Sequence, residues 1–401
     1  MNSLSLRAFV AKKTFKTKLN TTGMIINRTK NGIKGIVSII FILIFSALIT
    51  TGCINKKENF SVEDKIIGVK IYDHNEDFES LINDWKEIGI NTVFTSPKLF
   101  SDKKFRTITR ENEITSFIIL PIFFNPDALQ KNPDLYAITE NGEQAKENWV
   151  TFVCPSREEY RKSIIDSIKT IIKELDPDGI SLDFIRFFVF WEKIYPIRTF
   201  ESLPNTCFDS ICLNKFQADT KINIPDTIKA EENVYEWIKA NCLFKWGEWK
   251  CEQITSFIAE ISKEARKLKP DILINVHAVP WRHDDFDGAI KTVAGQDFSE
   301  ISDFVDYLSP MTYAHMVKRE PSWIHSVTND ISNQVNCKVI PSIQVNKAYL
   351  DTELTLEEFR ESLKEALTPP SDGVVFWSWE QLSSKPAKRQ IVKQLLDDID
   401  Q

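Results

Sequence analysis

The 401-residue chain is long enough for two or three average domains and equally for one elaborated α/β barrel, so length alone leaves the domain count open. Its formal net charge of −7 is unevenly spread: residues 1–52 hold eight Lys or Arg and no acid, so the remainder carries 42 cations against 57 acids, about −15. A surface that acidic repels polyanions, which argues against nucleic acid or anionic membrane as the ligand of the folded part.

In chain order, the cations come first (Arg7, Lys12, Lys13, Lys16, Lys18, Arg28, Lys30, Lys34), and the apolar run Ile36–Ile49 follows them. That is the order of a secretory signal, and the run is shorter than the roughly 20 residues of a spanning helix. It ends at Thr50-Thr51-Gly52-Cys53, which resembles a prokaryotic lipobox with Thr50 where Leu is usual. The resemblance implies lipidation of Cys53, anchoring to the membrane through the N-terminus, and an extracytoplasmic location. Met24 offers a second start with a more ordinary signal length. The expected boundaries are a leader over 1–52, a tether over 53–64 and a folded domain over 65–401.

Eight short runs rich in Ile, Val and Phe then read as strands: Ile66–Tyr72, Thr92–Thr95, Phe117–Phe124, Ile180–Phe184, Ile272–His277, Tyr307–Thr312, Val339–Val345 and Val374–Trp377. Most are continuously apolar, as strands buried on both faces of a parallel sheet are. Amphipathic segments alternate with them, at Phe78–Ile88, Glu158–Leu175, Ala230–Leu268 and Leu356–Leu367. In the second of these, Ile164, Ile165, Ile168, Ile171, Ile172 and Leu175 recur at helical spacing. Eight alternating strand–helix units predict a single-domain (β/α)8 TIM barrel. Residues 125–156 and 188–225 lack clear periodicity and read as extended loops after the third and fourth strands.

Six cysteines follow Cys53: Cys154, Cys207, Cys212, Cys242, Cys251 and Cys337. Cys207 and Cys212 share a loop and could bridge. Cys242 and Cys251 sit about 13 Å apart along one predicted helix, too far to pair. The spacing is not that of a metal site, and the remaining cysteines read as core. Trp237, Trp246 and Trp249 at helical spacing also read as core.

The motif that carries chemistry is Asp178-Gly179-Ile180-Ser181-Leu182-Asp183-Phe184-Ile185-Arg186-Phe187. A strand ends in an acid and an Arg three residues apart, where barrel loops place catalytic groups. A guanidinium beside a carboxylate favours its charged form, which suits Asp183 to a nucleophile or a transition-state stabiliser. Glu380, after the eighth strand and flanked by Trp377 and Trp379, is the first candidate for a second catalytic carboxyl, since the two Trp form an aromatic wall that could raise its pKa by desolvation. Asp73 is the second candidate. His74, His277, Trp281, Tyr313, His315 and Gln344 fall at or past strand ends and could bind hydroxyls. A metal set of His277, His315 and Asp183 lacks any H-x-H or H-E-x-x-H support, so neither metal nor other cofactor is expected. No glycine-rich phosphate loop and no G-x-S-x-G elbow occurs.

The motif resembles the D-G-I-x-x-D-[FY]-I-R signature of glycosyl-hydrolase-like barrel families of lipoprotein type. Trp149 with Cys154-Pro155-Ser156, Ser309-Pro310-Met311-Thr312-Tyr313 and Phe376-Trp377-Ser378-Trp379-Glu380 resemble that family's later motifs, over about Ile66 to Leu396. The chain is also distantly similar to the chitinase-type barrel, whose D-x-x-D-x-D-x-E aligns with Asp178, Ser181, Asp183 and Ile185. That family's acid glutamate is therefore missing, and Ala314 stands where its M-x-Y-D motif has Asp. These resemblances imply a carbohydrate substrate cleaved through strand-end carboxylates. The alternative they leave is a surface lipoprotein that binds sugars without catalysis. Metal-dependent deacetylation is a third reading, for which no ligand set assembles.

Overall fold

The computed structural model describes residues 65–399 except 76 and 229–230, so the leader, Cys53 and the tether lie outside the described residues. Parallel strands run β1 Ile66–Ile71, β2 Thr92–Thr95, β3 Thr115–Pro121, β4 Gly179–Asp183, β5 Leu273–Ala278, β6 Tyr307–Pro310, β7 in two pieces at Lys338–Val339 and Ser342–Gln344, and β8 Gly373–Trp377. All eight predicted strands are present, with ends shifted by a few residues.

Neighbours in sequence are neighbours in the sheet, β1 to β8 in order, and β8 pairs back onto β1 with Ile66 opposite Gly373. The strand β7 is split at Pro341, which has no N–H to donate to a ladder. Its first piece pairs β6 (Tyr307 opposite Lys338) and its second pairs β8 (Ser342 opposite Val375), so the two halves of one strand close the circuit. Ile340 N–H still reaches Leu308 O at 3.0 Å or less (2.9 Å), and Pro341 O accepts from Val375 N–H at 3.0 Å, which carries the pairing across the break.

The floor of the barrel is apolar, made by Phe94, Phe117, Ile119, Ile340 and Val375, with the Phe94 and Phe117 rings stacked at 4.8 Å. Gly179 opens β4 because nothing larger fits: a Cβ there would sit 2.3 Å from the Phe117 ring. Above this layer the interior turns polar. Asn275 donates to Ser181 Oγ and accepts from Ser309 Oγ, both at 2.8 Å, so three strands are tied by one satisfied amide.

Helices cover the outside. The one over Glu158–Leu175 buries Ile165, Ile168 and Ile172, the face its periodicity predicts. The expected Ala230–Leu268 helix is two, Glu231–Asn241 and Leu243–Leu268, broken at Cys242 (φ −155°, ψ 28°). Trp246 and Trp249 on the second are buried. Among the described residues no helix is long and apolar enough to cross a membrane.

The two expected loops carry structure that periodicity does not reveal. The loop after β3 contains a helix at Pro126–Lys131 and a hairpin pairing Lys146–Glu147 with Val150–Thr151. The loop after β4 contains a turn of 3-10 helix at Trp191–Lys193 and a helix at Ser210–Thr220, whose start is capped by Asp209. On that helix Cys212 and Phe216, one turn apart, are buried on one face.

Candidate active site

At the C-terminal ends of the strands a pit of about 150 Å³ is lined by Lys70 and Tyr72 of the β1 end, Asp183 and Phe184 of the β4 end, Arg186, Glu192, Tyr313 and Trp377, among others. Trp149 and Tyr349 form part of its rim, and the indole N–H of Trp149 donates to the Tyr349 hydroxyl at 2.9 Å. The loops after β3 and β7 thereby meet over the site.

Asp183 closes β4 and accepts from the Phe184 N–H at 2.8 Å. Phe184 itself holds φ +51°, a left-handed conformation that costs a non-glycine residue about 1–3 kcal/mol. Stacking on Phe124 at 4.9 Å and contact with Phe152 hold it there. Burial raises the pKa of Asp183, against the opposing pull of Lys70, the Phe184 amide and Arg186. Two of these expectations need correction: the dominant neighbouring cation is Lys70 rather than Arg186, and desolvation outweighs both.

Lys70 points into the barrel and donates to the Tyr313 hydroxyl at 3.2 Å. Burial brings its pKa down to about 8, with Asp183 pulling the other way. Arg186 is 2 % exposed, donates to the Val189 carbonyl at 2.7 Å and lies over the Phe152 ring at 4.8 Å.

Glu192 is the site residue that sequence reasoning missed. It sits in the 3-10 turn of the loop after β4, and its Oε2 is buried with no hydrogen-bond partner among the described residues. Burial pushes its pKa up to about 7; Arg186 opposes the rise and the charge of Asp183 adds to it. No periodicity or motif marks it; the only signal was its place in an irregular loop on the face where barrel sites form.

Of the other sequence candidates, Tyr313 and Trp377 line the pit and stack at 4.7 Å, 19° apart. Glu380 does not line it: its Oε1 accepts from the backbone N–H groups of Tyr72 (2.7 Å) and Asp73 (3.3 Å), fastening the end of β1. Trp379 turns outward and packs edge-on against Trp85 at 5.9 Å. Asp73 is exposed and pairs with Lys98 at 3.1 Å, while His74 lines a separate surface groove. His277 is 1 % exposed inside the barrel, beside Phe94, with both ring nitrogens unpartnered among the described residues; burial, then Lys70, depress its pKa. Trp281 is buried against Phe286. His315 is held by Glu358 at 2.8 Å and the Thr352 carbonyl at 2.9 Å. Gln344 accepts from the Met316 N–H and donates to the Asn346 carbonyl, both at 2.8 Å. Ile185 is fully buried, so the position of the absent chitinase-type acid faces no substrate space.

The pit therefore holds two carboxyl groups in different surroundings, two cations and an aromatic wall. Both are desolvated, but Asp183 is braced by a lysine and a backbone amide, whereas Glu192 keeps one oxygen free among the described residues. Such a pair can divide proton donation and charge stabilisation between them.

The chain matches no sequence-family profile and no curated protein sequence. Its fold is similar to solved glycoside-hydrolase domains. The PgaB (BpsB) glycoside hydrolase domain from Bordetella bronchiseptica superposes with a TM-score of 0.60 at 12 % identity, over 82 % of this chain and 98 % of that one. The β-galactosidase from the psychrophilic Marinomonas ef1 gives 0.57 at 10 % identity, over 83 % and 59 %. A catalytic mutant of Gan42B, a GH42 β-galactosidase from G. stearothermophilus, gives 0.57 at 12 % identity, over 84 % and 57 %. This chain thus spans less than two thirds of those two β-galactosidases. The likeness establishes the fold, an α/β TIM-like barrel of the kind those domains have.

Proposed function

We propose that the protein hydrolyses glycosidic bonds of an extracytoplasmic poly- or oligosaccharide, with Glu192 as general acid and Asp183 as nucleophile or general base. The observation that carries this reading is the Glu192 carboxyl: buried, lining the pit, with one oxygen lacking a partner and its pKa pushed up to about 7. A carboxyl kept protonated near neutral pH is what protonation of a leaving-group oxygen requires.

Asp183 has the complementary surroundings. Burial raises its pKa too, but Lys70 and the Phe184 amide oppose that rise by favouring the ionised form, and from β4 it faces the same pit. Glu380, first choice on sequence grounds, is already engaged with backbone amides, so the acid role passes to Glu192. Tyr313 and Trp377 supply an apolar wall for a sugar ring, and Lys70 and Arg186 line the same pit beside the two carboxyls. A pit of about 150 Å³ is below the roughly 300–1,000 Å³ of drug-sized sites, so it seats one ring, with further units lying along Trp149 and Tyr349.

The order of the leader, cations then an apolar run ending at Cys53, suits a lipid anchor at Cys53 that holds this barrel outside the cytoplasm. The test is a polysaccharide panel scored for new reducing ends, with Asp183→Asn alongside. Release by the native protein and none by the variant supports hydrolysis. No release by either, with glycan binding retained by both, replaces hydrolysis with the non-catalytic sugar-binding reading that the missing acid at Ile185 suggested.

A further inference from the structure

Away from the pit, Cys154, Cys207, Cys212 and Asp209 converge, with one ligand-type atom from each lying within 4.8 Å of all the others. The three thiols are fully buried, and none of the six cysteines among the described residues is in a disulfide. We infer that these four side chains bind a single zinc ion, three through sulfur and Asp209 through oxygen.

Spacing separates this from the alternatives. The sulfurs of Cys154 and Cys212 are 3.1 Å apart. A disulfide needs about 2.05 Å. Two thiolates at about 2.3 Å from one tetrahedral zinc sit about 3.8 Å apart, so a small opening of this pair completes the geometry. A disulfide would use two of the four groups and leave Cys207 and Asp209 over; one ion uses all four. A four-iron cube fills the space between its thiolates and needs a wider cage than 4.8 Å provides.

The surroundings are those of an anionic centre. Cys207 Sγ accepts from the Ile138 N–H at 3.1 Å, a bond that orients and stabilises a thiolate ligand. Asp209 Oδ1 accepts from the Cys212 N–H at 2.8 Å, and its Oδ2 lies 3.1 Å from Cys207 Sγ and 2.8 Å from Arg157 Nη2. The guanidinium of Arg157 is buried with Nε and Nη1 unpartnered among the described residues. Three thiolates and a carboxylate around Zn²⁺ leave a charge of −2, part of which the Arg157 guanidinium offsets. Binding releases the three thiol protons to solvent.

The placement gives the ion a task. Cys154 lies on the loop after β3, five positions past Trp149; the other three lie on the loop after β4, beyond Glu192. The ion staples together the two loops that bring Trp149 and Glu192 to the pit.

The test is metal content, which needs no substrate and so stands or falls apart from the hydrolytic reading. The full chain purified from zinc-supplemented cells, without chelator, is expected to carry one zinc per molecule by plasma mass spectrometry. Cys207→Ser is expected to lose it and Cys337→Ser to keep it. Cobalt exchanged into the native protein is expected to give thiolate-to-cobalt charge-transfer absorption and tetrahedral d–d bands, which decides the matter should Cys207→Ser fail to fold. Native protein without zinc and without cobalt–thiolate bands, a Cys154–Cys212 disulfide in non-reducing peptide maps, or zinc retained by folded Cys207→Ser would each overturn the proposal.

Discussion

Replacing Glu192 by Gln keeps its shape and removes its titration, so the variant isolates what desolvation does to this carboxyl. Its pKa moves from 4.5 unfolded to about 7 folded, a rise of about 2.5 units at about 1.36 kcal/mol each, or about 3 kcal/mol. Because the folded pKa is the higher one, the fold holds this proton more tightly than the unfolded chain does. The associated stability is complete below about pH 4.5 and is lost as pH rises through about 7. Other groups also titrate: His277, its folded pKa depressed, loses stability as pH falls, and Lys70 changes only above about 8. Both are common to the two proteins and cancel in the difference. Denaturant midpoints from pH 4 to 8.5, converted with m-values, are therefore expected to show native stability falling relative to Glu192→Gln by about 3 kcal/mol, mostly between pH 4.5 and 7. Parallel curves across that range would mean that Glu192 ionises as an ordinary carboxyl, and its assignment as the acid would fail.

Other outcomes are expected from the same geometry. Trp149→Ala removes a rim ring and its bond to Tyr349, and with aromatic stacking worth about 0.5–1.5 kcal/mol, KM for the identified glycan is expected to rise by about 2- to 12-fold with kcat little changed, read from initial rates. Gly179→Ala drives a methyl group to 2.3 Å from the Phe117 ring, and is expected to cost about 1–3 kcal/mol in urea unfolding. Cys53→Ser is expected to move the protein from the membrane pellet to the soluble fraction on cell fractionation, which tests the proposed anchor.

The barrel was readable from sequence because its signal is redundant. Eight apolar runs such as Ile66–Tyr72 and Thr92–Thr95 each need burial on both faces, which a parallel sheet provides, and the count of eight strand–helix units pointed to closure into a barrel. Asp183 was readable because a strand end followed by Arg186 is a local pattern. Glu192 was not: it reaches the pit from nine residues further on, through an irregular loop whose path depends on tertiary contacts such as Trp191 against Tyr313 at 5.8 Å. Glu380 misled for a related reason. Sequence places it beside Trp377 at the top of β8, while its orientation is set by unpaired amides at Tyr72 and Asp73, more than three hundred residues away in the chain. The cysteine cluster was equally hidden, since Cys154 lies 58 residues before Cys212 and no short spacing links them.

The division of roles between the two carboxyls is tested most directly by leaving-group dependence on the sugar that the panel identifies. Native protein, Asp183→Asn and Glu192→Gln would be compared on the natural glycoside and on its nitrophenyl counterpart, whose departing group needs little protonation. The account predicts that Asp183→Asn is inactive on both, whereas Glu192→Gln is inactive on the natural glycoside and active on the nitrophenyl one. Equal loss on both substrates in Glu192→Gln, or retained activity in Asp183→Asn, would contradict it.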